Sequence, residues 1–210
     1  MKVKWLGHSC FKITHKGHSI VFDPFSPGSI PGLQDIQETA DMVVCSHEHF
    51  DHNCREAVDV SSGKTEGLPD VLALTVDHDD KNGAARGWSD ILIMNMDGFK
   101  IAHFGDIGCE LTERQKKKLR NLDVALIPVG GYYTIDGVQA AALVKELKPM
   151  VTIPMHYSSD SFGFDEIGYV DAFTEQFDQE MVRRLDCNTM TIEKGMAQQI
   201  AVLTYGKERV

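Results

Sequence analysis

One stretch of this chain, His47-Glu48-His49-Phe50-Asp51-His52, places three imidazoles and the carboxylate of Asp51 within six consecutive residues. Neutral histidine binds metal ions through a ring nitrogen, and aspartate adds an anionic oxygen. Such a dense cluster is costly to fold unless a cation lies among its members. In an extended chain alternate residues share a face, so His47 and His49 can bind one ion. Asp51 and His52 can then serve a second, adjacent ion.

The composition limits the classes of protein to be considered. We expect one domain over residues 1–210, with two β-rich halves and a metal cleft at the sheet edge. The formal net charge of −10 makes nucleic acid or an anionic membrane an unexpected partner. A small anionic substrate remains open, because bound divalent cations would reverse the field inside the site. The composition also leaves a homo-oligomer open.

The N-terminal residues and the cysteines predict a cytoplasmic protein. Residues Met1–Leu6 alternate like a strand and lack the apolar segment of a signal peptide. No apolar run approaches the ~18 residues of a membrane helix. The five cysteines are an odd number and form no Cys-x-x-Cys pair, which is typical of reduced thiols.

Short β-rich segments dominate the first half of the chain. Their apolar residues alternate or run together, and turn-forming residues separate them. The predicted strands are Val3–Leu6, Phe11–Thr14, Ser19–Asp23, Met42–Cys45, Val71–Val76, Ile91–Met96 and Phe99–Phe104. The last two form a predicted hairpin around Asp97-Gly98.

The second half alternates strands with helices, which predicts an α/β protein. One helix is expected to begin near Thr112, and the segment Phe164–Arg184 is expected to be largely helical. Between and after them, the pattern predicts the strand Val124–Pro128, the helix Gly137–Leu147 and the strands Met150–Pro154, Met190–Glu193 and Ile200–Thr204.

Three further metal-ligand candidates follow apolar runs elsewhere in the chain: His78, Asp106 and His156. A residue just beyond the C-terminal end of a strand lies at the rim of its sheet, where ligands commonly bind in α/β folds. Separate strand ends can therefore converge on one cleft. These three residues can supply the ligands that the 47–52 stretch lacks.

The motif His47-x-His49-x-Asp51-His52, followed by a histidine, a Gly-Asp pair and another histidine, resembles the metallo-β-lactamase superfamily. The resemblance covers roughly residues 2–160 and is closest to the small, stand-alone hydrolases similar to ascorbate-6-phosphate lactonases. The other matching segments are Leu6–Phe11, Phe22–Phe25, Gly83–Gly87, His103–Asp106, Ile127–Gly131 and Ile153–Tyr157.

The resemblance implies a four-layer αβ/βα sandwich with a dinuclear site at one edge. It implies that His47, His49 and His78 bind the first metal and that Asp106 bridges the two ions. It also implies a second-metal site built from Asp51, His52 and His156. Members of the family use zinc, manganese or iron, and we expect two divalent ions with zinc as the first choice.

Other residues are predicted to act beside the metals. Asp23 can accept the second N–H of a metal-bound histidine, although it can equally cap a loop. His8 can line the cleft and, with Asp23 and Asp51, is a candidate catalytic residue. Arg86 follows a glycine-containing loop and can meet an anionic group. Tyr132, Tyr133 and Tyr157 can contact a substrate, although aromatic packing is the expected role of any one of them.

These residues predict a metal-dependent hydrolase in which a bridging hydroxide attacks a small ester, lactone or phosphodiester. No Gly-x-Ser-x-Gly motif indicates a serine nucleophile. The alternatives are a ribonuclease-like phosphodiesterase, a diiron-type oxidoreductase and a non-catalytic metal-binding module. The acidity of the chain counts against the first. Diiron relatives typically carry glutamate where this chain has His49.

Overall fold

Two β-sheets face each other in the computed structural model, which describes residues 1–60 and 67–206. The first sheet has the strand order β13-β1-β2-β3-β5. Its strands are β1 (Lys2–Gly7), β2 (Cys10–His15), β3 (His18–Phe22), β5 (Met42–Val44) and β13 (Thr189–Thr191). The three predicted N-terminal strands and the strand before the histidine cluster therefore form one sheet.

The second sheet has the strand order β12-β14-β11-β10-β9-β8-β7. Its strands are β7 (Val71–Asp77), β8 (Trp88–Met96), β9 (Phe99–His103), β10 (Val124–Pro128), β11 (Val151–Met155), β12 (Val182–Arg184) and β14 (Gln199–Val202). All residues of β10 and β11 are buried, as expected of parallel strands covered on both faces. The predicted hairpin between β8 and β9 is present, with positive φ at Asp97 and Gly98.

The core lies between the two sheets because each sheet turns an apolar face inwards. Val3, Trp5 and Phe11 from the first sheet belong to the same buried cluster as Met94 and Leu126 from the second. The alternation of buried and more exposed residues along β1 reflects the period of two expected for a strand with one covered face. This shared core holds the two sheets together.

The α-helices of the described residues accompany the second sheet. They are α1 (Glu113–Lys118), α2 (Gly137–Leu147) and α3 (Asp171–Thr174). Helix α2 packs against β10, and α3 packs against α2. Thr112 and Asp136 begin α1 and α2 with capping boxes. In each, the cap side chain accepts from the backbone N–H of the third helical residue, whose own side chain accepts from the backbone N–H of the cap. Val144 and Leu147 are among the buried residues of α2. Both helices begin where the sequence predicts.

The outer face of the first sheet is covered by irregular chain within the described residues. Phe25 and Ile30, from the segment after β3, pack with Cys10 and Val21 on the side of the sheet that faces away from the main core. A small parallel pair, β4 (Glu38–Ala40) and β6 (Val58–Val60), adds Ala40 and Val58 to this second cluster. The short helix Arg55–Ala57 precedes β6.

The predicted helix over residues 164–184 is wrong for most of its length. Only α3 and the 3₁₀ turn Gln179–Met181 are helical, and the segment ends in strand β12. Backbone groups of this segment form hydrogen bonds with residues outside it. Gly168 N–H donates to the carbonyl of Gly130, and Gly168 C=O accepts from Ser158 N–H. These tertiary hydrogen bonds prevent a continuous helix.

No helix within residues 1–60 and 67–206 combines the length and the apolar character that crossing a membrane requires.

The close approach of Gly108 to the backbone of His78 can be tested by substitution. A Cβ on Gly108 would lie 2.5 Å from the carbonyl carbon and oxygen of His78. We therefore expect Gly108→Ala to lower the free energy of unfolding by about 1–3 kcal/mol, because the backbone of His78 must move. Chemical denaturation measures the change. Gly168→Ala is the control, since its nearest contact would be 3.3 Å from Gly130 O, and an equal loss in both variants would contradict this account.

Candidate metal centre

Loops that follow six strands meet at one edge of the two sheets. His8 follows β1, Asp23 follows β3, and the histidine stretch follows β5. His78, Asp106 and His156 come just after β7, β9 and β11. The first sheet thus supplies one side of the centre and the second sheet supplies the other.

His47, His49 and His78 form the first cluster, with one ligand nitrogen from each within 4.8 Å of the others. His47 Nε2 lies 3.0 Å from His49 Nδ1. The His78 ring is 4.9 Å from the ring of His47 and 5.1 Å from that of His49. Burial, followed by the effect of His52, lowers the pKa of His47 to about 3, so this imidazole is neutral and offers a lone pair at pH 7.

Asp51, His52 and His156 form the second cluster together with His8. His52 Nε2 is 3.6 Å from Asp51 Oδ2, and His8 Nε2 is 3.3 Å from the same oxygen. The rings of His8 and His156 are 4.1 Å apart. His8, His52 and His156 are almost fully buried, and Asp51 is 8% exposed. His8 is therefore a fourth donor beside the three residues expected for the second site.

Asp106 lies between the two clusters and faces histidines of both. Its Oδ2 is 3.2 Å from His156 Nε2, 3.4 Å from His78 Nε2 and 4.0 Å from His47 Nε2. Its Oδ1 is 3.2 Å from His52 Nε2. Burial raises the pKa of Asp106, but the neighbouring His156 and His52 outweigh burial and hold the pKa well below its usual range. The carboxylate is therefore ionised and accessible to both clusters.

Asp23 supports the centre from behind. Its Oδ2 accepts from His52 Nδ1 at 2.7 Å and from Ser46 Oγ at 2.6 Å, while Oδ1 accepts from Ser46 N–H at 2.7 Å. Binding at His52 Nδ1 leaves the Nε2 atom of His52 directed towards Asp106. The contact is the kind that orients a metal-binding histidine.

Ser46 and Ser89 take part in the centre and were missed from sequence, whereas His103, from the matching segment His103–Asp106, supports the centre from behind. Ser89 Oγ accepts from the backbone N–H of Asp106 at 2.9 Å. His103 lies behind Asp23, with its ring stacked on Phe22 and its Nε2 2.8 Å from the carbonyl of Ser9. Serine adjacent to a metal ligand has no distinctive spacing. His103 lies an odd number of residues before Asp106, which is consistent with a ring that faces away from the cleft.

The donor set fits a cation. Among the described residues, His52 Nε2, His156 Nε2 and Asp106 Oδ1 are buried and make no hydrogen bond, although each histidine nitrogen lies 3.2 Å from an oxygen of Asp106. Buried polar atoms without hydrogen bonds are rare in folded proteins and call for a partner. Imidazole nitrogen and carboxylate oxygen together suit divalent transition metals.

Three residues of the centre adopt the left-handed backbone conformation: His8 at φ +49°, Asp23 at φ +45° and His156 at φ +51°. This conformation is uncommon for residues other than glycine, and aspartate and histidine adopt it more readily than most side chains. Strained backbone of this kind clusters at functional sites, where the surrounding structure maintains it. The backbone carbonyl of His8 is held by Trp5 Nε1 at 3.0 Å and by His156 N–H at 3.3 Å.

The family model described as the Beta-lactamase superfamily domain matches residues 2–156, which is more than half of the chain. The chain belongs to the metallo-β-lactamase superfamily. The match includes every predicted metal ligand and ends at His156.

Relatives of this superfamily member are described as metal-dependent hydrolases. A UPF0173 metal-dependent hydrolase from Lawsonia intracellularis is 30% identical over 193 residues, covering 74% of this chain and 82% of the relative. Another from Hyperthermus butylicus is 27% identical over 195 residues, covering 75% and 83%. A Thermotoga maritima crystal structure, described as a candidate Zn-dependent hydrolase of the metallo-β-lactamase superfamily, has a TM-score of 0.76 at 30% identity. It covers 96% of this chain and 97% of its own. The predicted α/β sandwich and the prediction of a metallo-hydrolase are thereby confirmed.

The contact between His8 and Asp51 gives a testable expectation for this metallo-β-lactamase superfamily member. His8→Leu removes the nitrogen beside Asp51 Oδ2, so zinc should bind the second cluster about 10- to 100-fold more weakly. His8→Asn should retain more affinity, because asparagine is polar and tolerates positive φ. Competition with a chromophoric chelator measures both variants. Unchanged zinc affinity in His8→Leu would contradict the role assigned to the contact.

Proposed function

We propose that this chain hydrolyses a small ester, lactone or phosphodiester at a site that holds two divalent metal ions. The observation that carries the proposal is the position of Asp106, whose two oxygens face histidines from both clusters. A carboxylate between two donor sets is suited to bridging two ions. A centre for one structural ion would need only one of these donor sets.

The two donor sets divide the proposed ions between them. His47, His49 and His78 would hold the first ion, while Asp51, His52 and His156 would hold the second. The abundance of imidazole favours zinc, with manganese or iron as the alternatives. When bound, two such ions lower the pKa of a shared water and polarise the oxygen of an ester or phosphate group.

Asp51 is the carboxylate best placed to receive a proton from the reacting groups. It is 8% exposed, whereas Asp106 is 2% and Asp23 is 0% exposed. Its Oδ2 lies beside His8 Nε2, which can donate a hydrogen bond and hold the carboxylate in place. Hydrolysis adds the oxygen of water to the acyl carbon or phosphorus and leaves the departing oxygen protonated. Asp51 can transfer this proton from the attacking water to the departing oxygen.

Aromatic side chains next to the clusters support a small organic substrate. The Tyr133 ring lies 6.4 Å from that of His156 and 6.2 Å from that of Phe164. Phe50, inside the histidine stretch, is 60% exposed. Exposed aromatic groups beside buried polar ligands are typical of small-molecule sites. The net charge of −10 favours such a substrate over nucleic acid.

We also propose a cytoplasmic location, which the five free cysteines support.

Substitution of the second cluster tests the proposed hydrolysis. Asp51→Ala and His52→Ala should each lower kcat on the best substrate of a lactone, thioester and phosphodiester panel by at least about 100-fold. The reason is that each variant removes a metal ligand, and Asp51→Ala also removes the proton acceptor. Elemental analysis of each preparation controls for metal content.

Asp70→Ala is the matched control, because Asp70 is an exposed carboxylate outside the centre. It should leave turnover unchanged. Full turnover in both Asp51→Ala and His52→Ala at controlled metal content would sink the proposal.

A further inference from the structure

Arg86 is a half-buried cation beside the metal centre, and no acidic side chain within residues 1–60 and 67–206 forms an ion pair with it. Its guanidinium carbon lies 5.4 Å from the centre of the Tyr133 ring and 5.8 Å from that of Tyr132. Within residues 1–60 and 67–206, these cation–π contacts are its only side-chain interactions. The chain carries 31 acidic and 21 basic residues, so an arginine with no carboxylate partner among the described residues is notable. Its guanidinium N–H groups therefore donate to no group in the described part of the chain and can bind a ligand.

The loop that carries Arg86 is held in one conformation by a buried carboxylate. Asp79 Oδ2 accepts from the backbone N–H of Arg86 at 2.7 Å and of Ala85 at 2.9 Å. Asp79 Oδ1 accepts from Lys81 N–H at 2.8 Å and from Gly83 N–H at 3.0 Å. The loop directly follows His78, so its position is tied to that of a metal-ligand candidate. A pre-ordered loop loses little entropy when its arginine binds a ligand.

Two tyrosines connect Arg86 to the centre. Tyr132 has φ +59°, and Tyr133 N–H donates to Gly131 C=O at 2.7 Å, which makes a tight turn that presents both rings. The Tyr133 ring is next to that of His156. The guanidinium is therefore separated from a metal-ligand candidate by a single aromatic ring, a distance that a small substrate can span.

The charge around Arg86 suits a group with one negative charge. A single guanidinium matches a carboxylate through two parallel hydrogen bonds. Phosphate sites usually add further cations or clustered backbone N–H groups. Burial, followed by the carboxylate of Glu166, raises the pKa of Tyr133, so negative charge already acts on this ring and would disfavour a dianion more than a monoanion.

Resting on the proposed hydrolase function, we infer that the substrate carries a carboxylate. Arg86 binds this carboxylate above Tyr132 and Tyr133, while the bond to be broken lies at the metal centre. The pair of tyrosines supports the aliphatic or planar part between the two ends. Arg86 is thus a specificity-determining residue, separate from the groups that break the bond.

Binding of matched amide probes to the zinc-loaded full chain tests the inference by isothermal titration calorimetry. The probes are N-butylsuccinamate, the neutral N-butylbutyramide and a phosphonate that replaces the carboxylate of the first. Arg86→Gln should weaken succinamate binding at least about tenfold and leave the neutral amide unchanged. Arg86→Lys, which keeps the charge without the planar fork, should fall between. Arg120→Gln is the control, because Arg120 is an exposed arginine on the surface near α1.

Three results would overturn the inference: no measurable binding of succinamate to the wild type, equal succinamate affinity in wild type and Arg86→Gln, or a larger loss for the phosphonate than for the carboxylate. The corresponding esters separate this inference from the hydrolase proposal. Arg86-dependent binding without turnover of any ester would refute ester hydrolysis and leave the carboxylate site standing. Turnover with no preference for the charged ester would do the opposite.

Discussion

The buried carboxylate of Asp23 is the constraint on which the centre depends. It binds His52 Nδ1 and both the N–H and the hydroxyl of Ser46, and no part of it is exposed. Burial raises the pKa of Asp23, but His103, His52 and Ser46 outweigh burial and lower it overall. Ser46 C=O in turn accepts from Asp90 N–H in the second sheet. One ionised side chain therefore orients a metal-ligand candidate and links the two sheets at the edge where the ligands meet.

Much of the fold could be predicted because local patterns and tertiary structure agree. Helix α2 has a capping box at Asp136 and a buried stripe, and its bounds match those predicted. The β8–β9 hairpin follows from Asp97-Gly98 between apolar strands. The segment 164–184 was mispredicted because backbone hydrogen bonds from Gly168 to Gly130 and Ser158 depend on distant chain. No local pattern records such partners.

The residues of the centre also differ in whether the sequence could predict them. The 47–52 stretch could be recognised because few structures other than a metal site tolerate such a density of imidazoles. Asp106 and His156 were accessible because each follows a strand in a matching motif. Ser89, which binds the Asp106 backbone, was not accessible, since serine is common and its role depends on a contact between strand ends. The proximity of Arg86 to Tyr132 and Tyr133 likewise arises only when two loops meet.

Anomalous diffraction from crystals of the zinc-loaded protein tests whether Asp106 lies between two bound metal ions. We expect two anomalous peaks per chain, each about 2.0–2.2 Å from its histidine or carboxylate ligands. One peak should lie among His47, His49 and His78, the other among Asp51, His52 and His156, and Asp106 should contact both. A single fully occupied peak, or two peaks without Asp106 between them, would contradict the account.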